Sequence, residues 1–113
     1  MDYLVWVQIN FLSVHRLKSP PCDQDVHAHA YSIRAYADGV YDPTRNLPDL
    51  HEALIQIRSE LYGHDLNLML IGTISTPEGI AAWALDRLQC AAVRVMQDED
   101  AAVTLYRSPK RIQ

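Results

Sequence analysis

The sequence predicts an α+β fold in which two helices cover one face of a four-stranded antiparallel sheet. Segments in which apolar and polar residues alternate lie at both ends of the chain, and segments with the 3.6-residue period of a helix lie between them. The resulting element order is β-β-α-α-β-β, with an antiparallel hairpin at each end. A length of 113 residues fits one domain, residues 1–113, with one modest core.

The N-terminal third predicts two strands. Residues 3–17 alternate loosely and contain Val, Trp, Ile and Phe, which favour strands. The double proline within residues 18–25 indicates a loop, and residues 26–37 form the second strand. The pair Asp38 and Gly39 is typical of a tight turn, or here of a bulge that the strand continues past.

The middle of the chain predicts a first helix over residues 47–61. Asp49 is its N-cap or first-turn acid, Glu52 follows three residues later, and Gly63 ends the helix. The apolar residues at helical spacing are Leu50, Leu54, Ile57 and Leu61.

A second helix is predicted to begin after Thr76 and to run to Leu88. Thr76 caps it, Pro77 occupies the first turn, where its missing N–H does no harm, and Glu78 favours the positive helix end. Two strands follow at residues 91–97 and 102–107, joined by an acidic turn. The last six residues are expected to fray.

The bulk composition excludes several classes of protein. A net charge of −4 argues against a nucleic-acid binder, which needs a basic face. No apolar stretch is long enough for a membrane span, and the N-terminus lacks the basic region of a signal peptide. The two cysteines, Cys22 and Cys90, lie far apart, so a reduced, cytoplasmic protein is the simplest interpretation.

Three histidines form the most specific chemical pattern in the chain. His27 and His29 share one face of a strand because strand side chains alternate with period two. If the first two strands pair as a hairpin, His15 completes a set of three imidazoles. Three neutral imidazoles with an open fourth position are typical of catalytic zinc. The alternative is a set of exposed strand histidines with no ligand.

Several motifs occur together in the order and spacing of a known enzyme family. They lie between about Phe11 and Arg107 and are Phe-Leu-Ser-Val-His-Arg-Leu, Val-His-Ala-His-Ala-Tyr, Tyr-Asp-Pro-Thr, Pro-Asp-Leu-His-Glu, Thr-Pro-Glu before a Trp-containing helix, and Val-Arg-Val-Met. The chain thereby resembles the 6-pyruvoyl-tetrahydropterin synthase and 6-carboxytetrahydropterin synthase family. The resemblance implies the tunnelling fold (T-fold), with subunits joined edge to edge as trimers or hexamers and active sites at the interfaces. It also implies Zn²⁺ bound by His15, His27 and His29.

The resemblance leaves the catalytic base open. The family places a cysteine four residues before the first histidine of its pair, and this position is Asp23 here. A one-residue loop insertion would leave Cys22 as the base, since loops tolerate such shifts. Alternatively the Asp23 carboxylate abstracts the proton, or both residues merely line a loop.

The family's catalytic Asp-His dyad corresponds to residues just before Leu66. His64 is the candidate catalytic histidine, although Gly63 replaces its aspartate partner and Asp65 is adjacent. The alternative is a histidine that satisfies the carbonyls at a helix C-terminus.

The resemblance also assigns substrate-binding residues. The family's pterin-anchoring glutamate is replaced by Gln97, which offers one acceptor oxygen where a carboxylate offers two. Either the ligand differs from a pterin, or Asp98 or Glu99 takes the anchoring position. Thr76 and Glu78 are the remaining ring-recognition residues, and helix capping explains both equally well.

The leading hypothesis is therefore a zinc-dependent lyase acting on a pterin like dihydroneopterin triphosphate, by triphosphate elimination or side-chain cleavage. The carboxy-forming type of the queuosine pathway is preferred to the pyruvoyl-forming type. A second hypothesis is a zinc-binding pseudoenzyme or binding protein that keeps the fold. A third is zinc chemistry on a non-pterin heterocycle. The expected partners are a small molecule and further copies of the chain, with neither nucleic acid nor membrane.

Overall fold

The computed structural model describes residues 4–16, 26–38, 43–64, 66 and 76–107. Within them the predicted order of elements is confirmed. The elements are β1 (Leu4–Arg16), β2 (Val26–Asp38), α1 (Pro43–Leu61), α2 (Pro77–Arg87), β3 (Ala92–Gln97) and β4 (Ala101–Tyr106). The predicted loop at 18–25, the turn or bulge at Gly39 and the tail at 108–113 lie outside the described residues. None of the described helices is long and apolar enough to cross a membrane.

The four strands form one sheet in the order β1-β2-β3-β4, and every neighbouring pair is antiparallel, as predicted. One row of apolar residues crosses all four strands, because Ile9 pairs with Ile33, Ile33 with Val95, and Val95 with Val103. Cross-strand partners lie on the same face of a sheet. This row therefore marks the face that the helices cover.

The two helices pack on that face, α1 against β1 and β2 and α2 against β3 and β4. Their apolar stripes and the strand residues beneath them form one contiguous core. The fully buried side chains at its centre include Tyr31, Ile33, Leu54, Leu61, Leu66, Ile80, Leu88, Val93 and Val95. Burying each large apolar side chain contributes about 1.5–3 kcal/mol, so this layer contact holds the sheet and helices together.

Helix α1 begins at Pro43, four residues before the predicted start. The prediction of Asp49 as an N-cap or first-turn acid is therefore wrong, because Asp49 lies in the second turn. Pro48 lies inside the helix and removes one backbone hydrogen bond, which is why local rules placed the start later. The longer helix packs against β1, and Leu47 and Pro48 line the same surface pocket as Val7 of that strand.

The ends of both helices follow the sequence signals. Gly63 adopts φ of 73°, the left-handed conformation that favours glycine after a helix. Thr76 is the N-cap of α2, and its hydroxyl accepts a hydrogen bond from the Gly79 amide at 3.4 Å. At the other end of α2 the Arg107 guanidinium donates to the carbonyls of Leu85 and Leu88, both at 2.6 Å.

The β1–β2 hairpin extends past the rest of the sheet. β3 pairs with β2 only from Tyr31 onward, whereas β1 continues to pair with β2 as far as Val26. The first residues of β2 and the last residues of β1 therefore form a two-stranded ribbon. Helix α1 ends beside this ribbon, because Gly63 donates its backbone N–H to Leu12 at 2.6 Å.

Candidate functional site

The three candidate metal ligands lie together on the two-stranded ribbon. His15 and His27 are register partners, and His29 pairs with Ser13 two positions further along. The backbone alternation places these residues on the helix-covered face of the sheet. The hairpin that the sequence analysis required is thus present. For His15 and His27 the structure describes the backbone, and among the fully described residues no three metal-ligating side chains cluster.

His29 makes its closest described contact with an aspartate from the turn between β3 and β4. Its Nδ1 atom lies within hydrogen-bond distance of Oδ2 of Asp98. The other carboxylate oxygen of Asp98 accepts a hydrogen bond from the Ala30 amide at 2.8 Å. The Asp98 amide in turn donates to the Ala30 carbonyl at 2.7 Å. The acidic turn is thereby fastened to β2 beside His29.

Tyr31 lies beside the contact between His29 and Asp98. Its ring stacks on Phe11 with centroids 5.3 Å apart and meets the edge of the His29 imidazole at 5.8 Å. Burial, together with the nearby Asp98 carboxylate, raises the pKa of the Tyr31 hydroxyl well above its usual value. Tyr31 therefore remains a neutral phenol near neutral pH.

His64 reaches the same region through the end of α1. Its backbone carbonyl accepts hydrogen bonds from the Ser13 hydroxyl and from the Val14 amide, the latter at 3.3 Å. The Ser13 hydroxyl also lies 2.8 Å from the Leu61 carbonyl, so this buried side chain joins α1 to β1. Ser13 pairs with His29, and the candidate catalytic histidine thus lies at the same end of the sheet as the candidate metal ligands.

Gln97 ends β3 opposite Tyr31, on the same face as the histidines. Its Oε1 atom is buried and has no hydrogen-bond partner among the described residues. A buried carbonyl oxygen without a donor is costly, which makes this atom a natural acceptor for a ligand N–H. Asp98, the alternative anchor, directs both carboxylate oxygens at β2, and Glu99 is exposed.

Thr76 and Glu78 occupy the first turn of α2. Helix α2 packs against β3, and the short connection of residues 88–91 joins the end of the helix to the start of that strand. The helix and the strand therefore run in opposite directions. The N-terminus of α2 thus points toward the end of the sheet that carries Gln97. The Thr76 hydroxyl is engaged as the helix cap, while Glu78 is exposed. Cys22 and Asp23, the candidate bases, lie outside the described residues.

The sequence did not predict two interactions in this region, those of the Ser13 hydroxyl and of Asp98 with His29. Ser13 lies between Phe11 and His15 on a face of the strand that is otherwise apolar. A hydroxyl at such a position could have indicated a buried hydrogen bond. The contact of Asp98 with His29 had no local signal, because the two residues are 69 positions apart. It depends on the pairing of β2 with β3.

A groove of about 540 Å³ lies on the opposite, open face of the sheet. Its lining includes Gln8, Asn10, Leu12, Ser32 and Met96. These residues alternate with the core residues and therefore face away from the histidines. The groove is also lined by Tyr31 and Ala30, which contact His29 and Asp98 respectively.

Comparison with solved structures identifies the fold. The chain superposes on Caenorhabditis elegans 6-pyruvoyl tetrahydropterin synthase with a TM-score of 0.82 and 18% identity, covering 96% of this chain and 97% of that one. An uncharacterised protein from Wolinella succinogenes matches with a TM-score of 0.73 and 14% identity, covering 96% and 99%. No protein-family model and no curated protein matches the sequence. The T-fold expected from the resemblance is confirmed.

Proposed function

Because the chain has the T-fold of a 6-pyruvoyl tetrahydropterin synthase over nearly its whole length, we propose that it is a zinc-dependent lyase of this kind. The substrate is a pterin like dihydroneopterin triphosphate. The reaction most resembles that of 6-carboxytetrahydropterin synthase in the queuosine pathway, or that of 6-pyruvoyl-tetrahydropterin synthase. The observation that carries the proposal is the strand register, which gathers His15, His27 and His29 on one face of the ribbon.

The residues fit a zinc ion. Three histidines on two paired strands supply the donor type and number of a catalytic zinc site with an open position. The Asp98 carboxylate at Nδ1 of His29 leaves Nε2 as the nitrogen suited to the metal. When bound, zinc would polarise the oxygens of the substrate side chain.

The chain's own residues would bind the ring and move protons. The buried Oε1 of Gln97 would accept an N–H from the pterin edge, and Thr76 and Glu78 at the start of α2 would help to recognise the ring. His64, at the same end of the sheet, would exchange protons with the substrate side chain, and Cys22 or Asp23 would serve as the base.

We further propose that the protein is a cytoplasmic homo-oligomer, a trimer or hexamer with its sites at subunit interfaces. Strands β1 and β4 are the two edges of the sheet within the chain. Leu105 on β4 lies on the core face opposite the fully buried Val93, yet it is 36% exposed. An edge strand with incompletely covered apolar residues is suited to pairing with a neighbouring subunit.

Metal content is the first test of the zinc site. Protein purified without chelator should contain about one zinc per chain by mass spectrometry, and His27→Ala should lose it. His51→Ala is the matched control, because His51 is an exposed histidine on α1 outside the site. Absence of zinc from the wild-type protein, or equal zinc in H27A, would contradict the proposed site.

Turnover of dihydroneopterin triphosphate separates an enzyme from a binding protein. The zinc-loaded protein should release triphosphate or a shortened side chain, detected by chromatography of the pterin products. The substitution of glutamine for the anchoring glutamate favours the second candidate, a zinc-binding protein of the same fold with altered pterin chemistry. Zinc binding without turnover would support that candidate and overturn the lyase.

A further inference from the structure

We propose that Asp98 is a positioning residue that selects the tautomer of His29 needed for metal binding; its purpose rests on the proposed zinc site. Asp98 lies in the turn after β3, and its carboxylate contacts Nδ1 of His29 on β2. This contact joins residues 69 positions apart. The contact depends on the pairing of β2 with β3, and the sequence around the histidines does not predict it.

The carboxylate is held in place by the backbone of β2. Its Oδ1 atom accepts from the Ala30 amide at 2.8 Å, and the Asp98 amide donates to the Ala30 carbonyl at 2.7 Å. Both groups of residue 30 are therefore engaged by one residue of the turn. The remaining oxygen, Oδ2, is presented to the neighbouring imidazole at a defined position.

The chemistry of imidazole then determines the tautomer. A neutral imidazole carries one N–H and one lone pair, and a carboxylate accepts but does not donate. The contact with Asp98 thus requires the proton of His29 on Nδ1, which leaves the lone pair on Nε2. Hydrogen bonds from the second ring nitrogen to a carboxylate commonly orient metal-binding histidines in this way.

The backbone of the turn supports a functional reason for this residue. Asp98 and Glu99 adopt φ of 53° and 64°, and the Asp100 amide bonds the Gln97 carbonyl at 3.1 Å. Two positive φ values are required by the hairpin turn that best matches strand twist, and glycine usually occupies the second position. Conformations of this kind outside glycine cost about 1–3 kcal/mol each and tend to occur at functional sites. The two backbone bonds to Ala30 hold this turn in register with His29.

Asp98→Asn is the decisive variant. Asparagine tolerates positive φ and keeps the oxygen that accepts from Ala30, but it replaces Oδ2 with an N–H₂ group. It therefore removes the acceptor for His29 while retaining the backbone contacts. Asp100→Asn is the matched control, because it makes the same exchange at an exposed position in the same turn.

The first measurement is the tautomer of His29 in metal-free protein, by ¹⁵N NMR of the histidine rings over a series of pH values. Wild type and D100N should carry the proton on Nδ1, and D98N should carry it on Nε2. This readout needs no metal and no activity. An Nε2 proton in the wild-type protein, or an unchanged tautomer in D98N, would overturn the proposal.

The second measurement is zinc affinity by competition with a chromophoric chelator. D98N should bind zinc about 10–100-fold more weakly than wild type and D100N. NMR of the protein loaded with cadmium-113 then shows which ring nitrogen of His29 binds the metal. Coupling of the metal to Nε2 supports the proposal, and coupling to Nδ1 overturns it. If no metal binds, the proposed zinc function fails, while the metal-free NMR result still decides whether Asp98 sets the tautomer.

Discussion

At the scale of single residues, neighbouring positions in β3 and its turn have distinct chemistry. Gln97 lies on the core face with a buried oxygen that lacks a partner among the described residues. Asp98 turns back to β2 and contacts His29 and Ala30. Gln97 as the pterin anchor, and Asp98 or Glu99 as the alternative, stay predictions.

Gln97→Glu should strengthen pterin binding. A carboxylate offers two acceptors to the paired N–H donors of the pterin edge, and hydrogen bonds to a charged group contribute about 1.5–3 kcal/mol. Affinity for a fluorescent oxidised pterin should rise about tenfold or more in a fluorescence titration.

Gln97→Ala serves as the control for this exchange, because it removes the acceptor altogether and should bind less tightly than wild type. Equal affinity in all three proteins would show that residue 97 does not contact the pterin.

At the scale of elements, the start of α2 carries the residues expected at a helix N-terminus. Thr76 caps the helix through the Gly79 amide, and Pro77 occupies the first turn. Glu78 is exposed and lies where the helix dipole favours an acid. The helix-end explanation therefore accounts for both Thr76 and Glu78, and their roles in ring recognition stay predictions.

Thr76→Ala should lower the free energy of unfolding by about 1 kcal/mol, because the Gly79 amide loses its acceptor. Thr76→Ser keeps the hydroxyl and should retain wild-type stability. Urea denaturation followed by circular dichroism measures both. A T76A protein as stable as wild type would mean that the 3.4 Å contact does not stabilise the helix, and Thr76 would then be free to serve the ligand.

At the scale of the whole molecule, helices cover one face of the sheet, and its edge strand β4 carries exposed apolar residues. Both helices pack on the face that carries the histidines, while the opposite face carries polar residues such as Gln8, Asn10 and Ser32. On β4, exposure of Leu105 and Tyr106 reaches 36% and 44%. A sheet of this kind gains burial by extending into a second copy across the edge.

Leu105→Glu should therefore disrupt assembly, because it places a charge on the core side of the edge strand. The wild-type protein should sediment as a multiple of the 12.8 kDa chain, and the variant should shift toward the monomer. Thr104→Glu is the charge-matched control, since Thr104 lies opposite Arg94 on the other face. A monomeric wild type, or equal dissociation in both variants, would contradict edge-to-edge assembly.

The sequence by itself determined the order of the elements, the T-fold and the face of the sheet that carries His15, His27 and His29. The T-fold is what the family resemblance implies, whereas the order of the elements follows from signals contained within a few residues: period-two alternation in the strands, Gly63 after the first helix, and Thr76 with Pro77 before the second. Local signals suffice here because side-chain period and backbone conformation are set by neighbouring residues. The zinc ligand set and the catalytic roles of Cys22, Asp23 and His64 stay predictions.

Only the tertiary structure decided where helix α1 begins and which groups contact His29. Helix α1 continues back through Pro48 to Pro43, against the local rule, and the helix packs against β1. Asp98 reaches His29 because β3 pairs with β2 in a register that places the acidic turn at Ala30. A shift of that register by one residue would move every β3 side chain to the other face and separate this pair. The register depends on burial of the whole core, and no short segment contains that information.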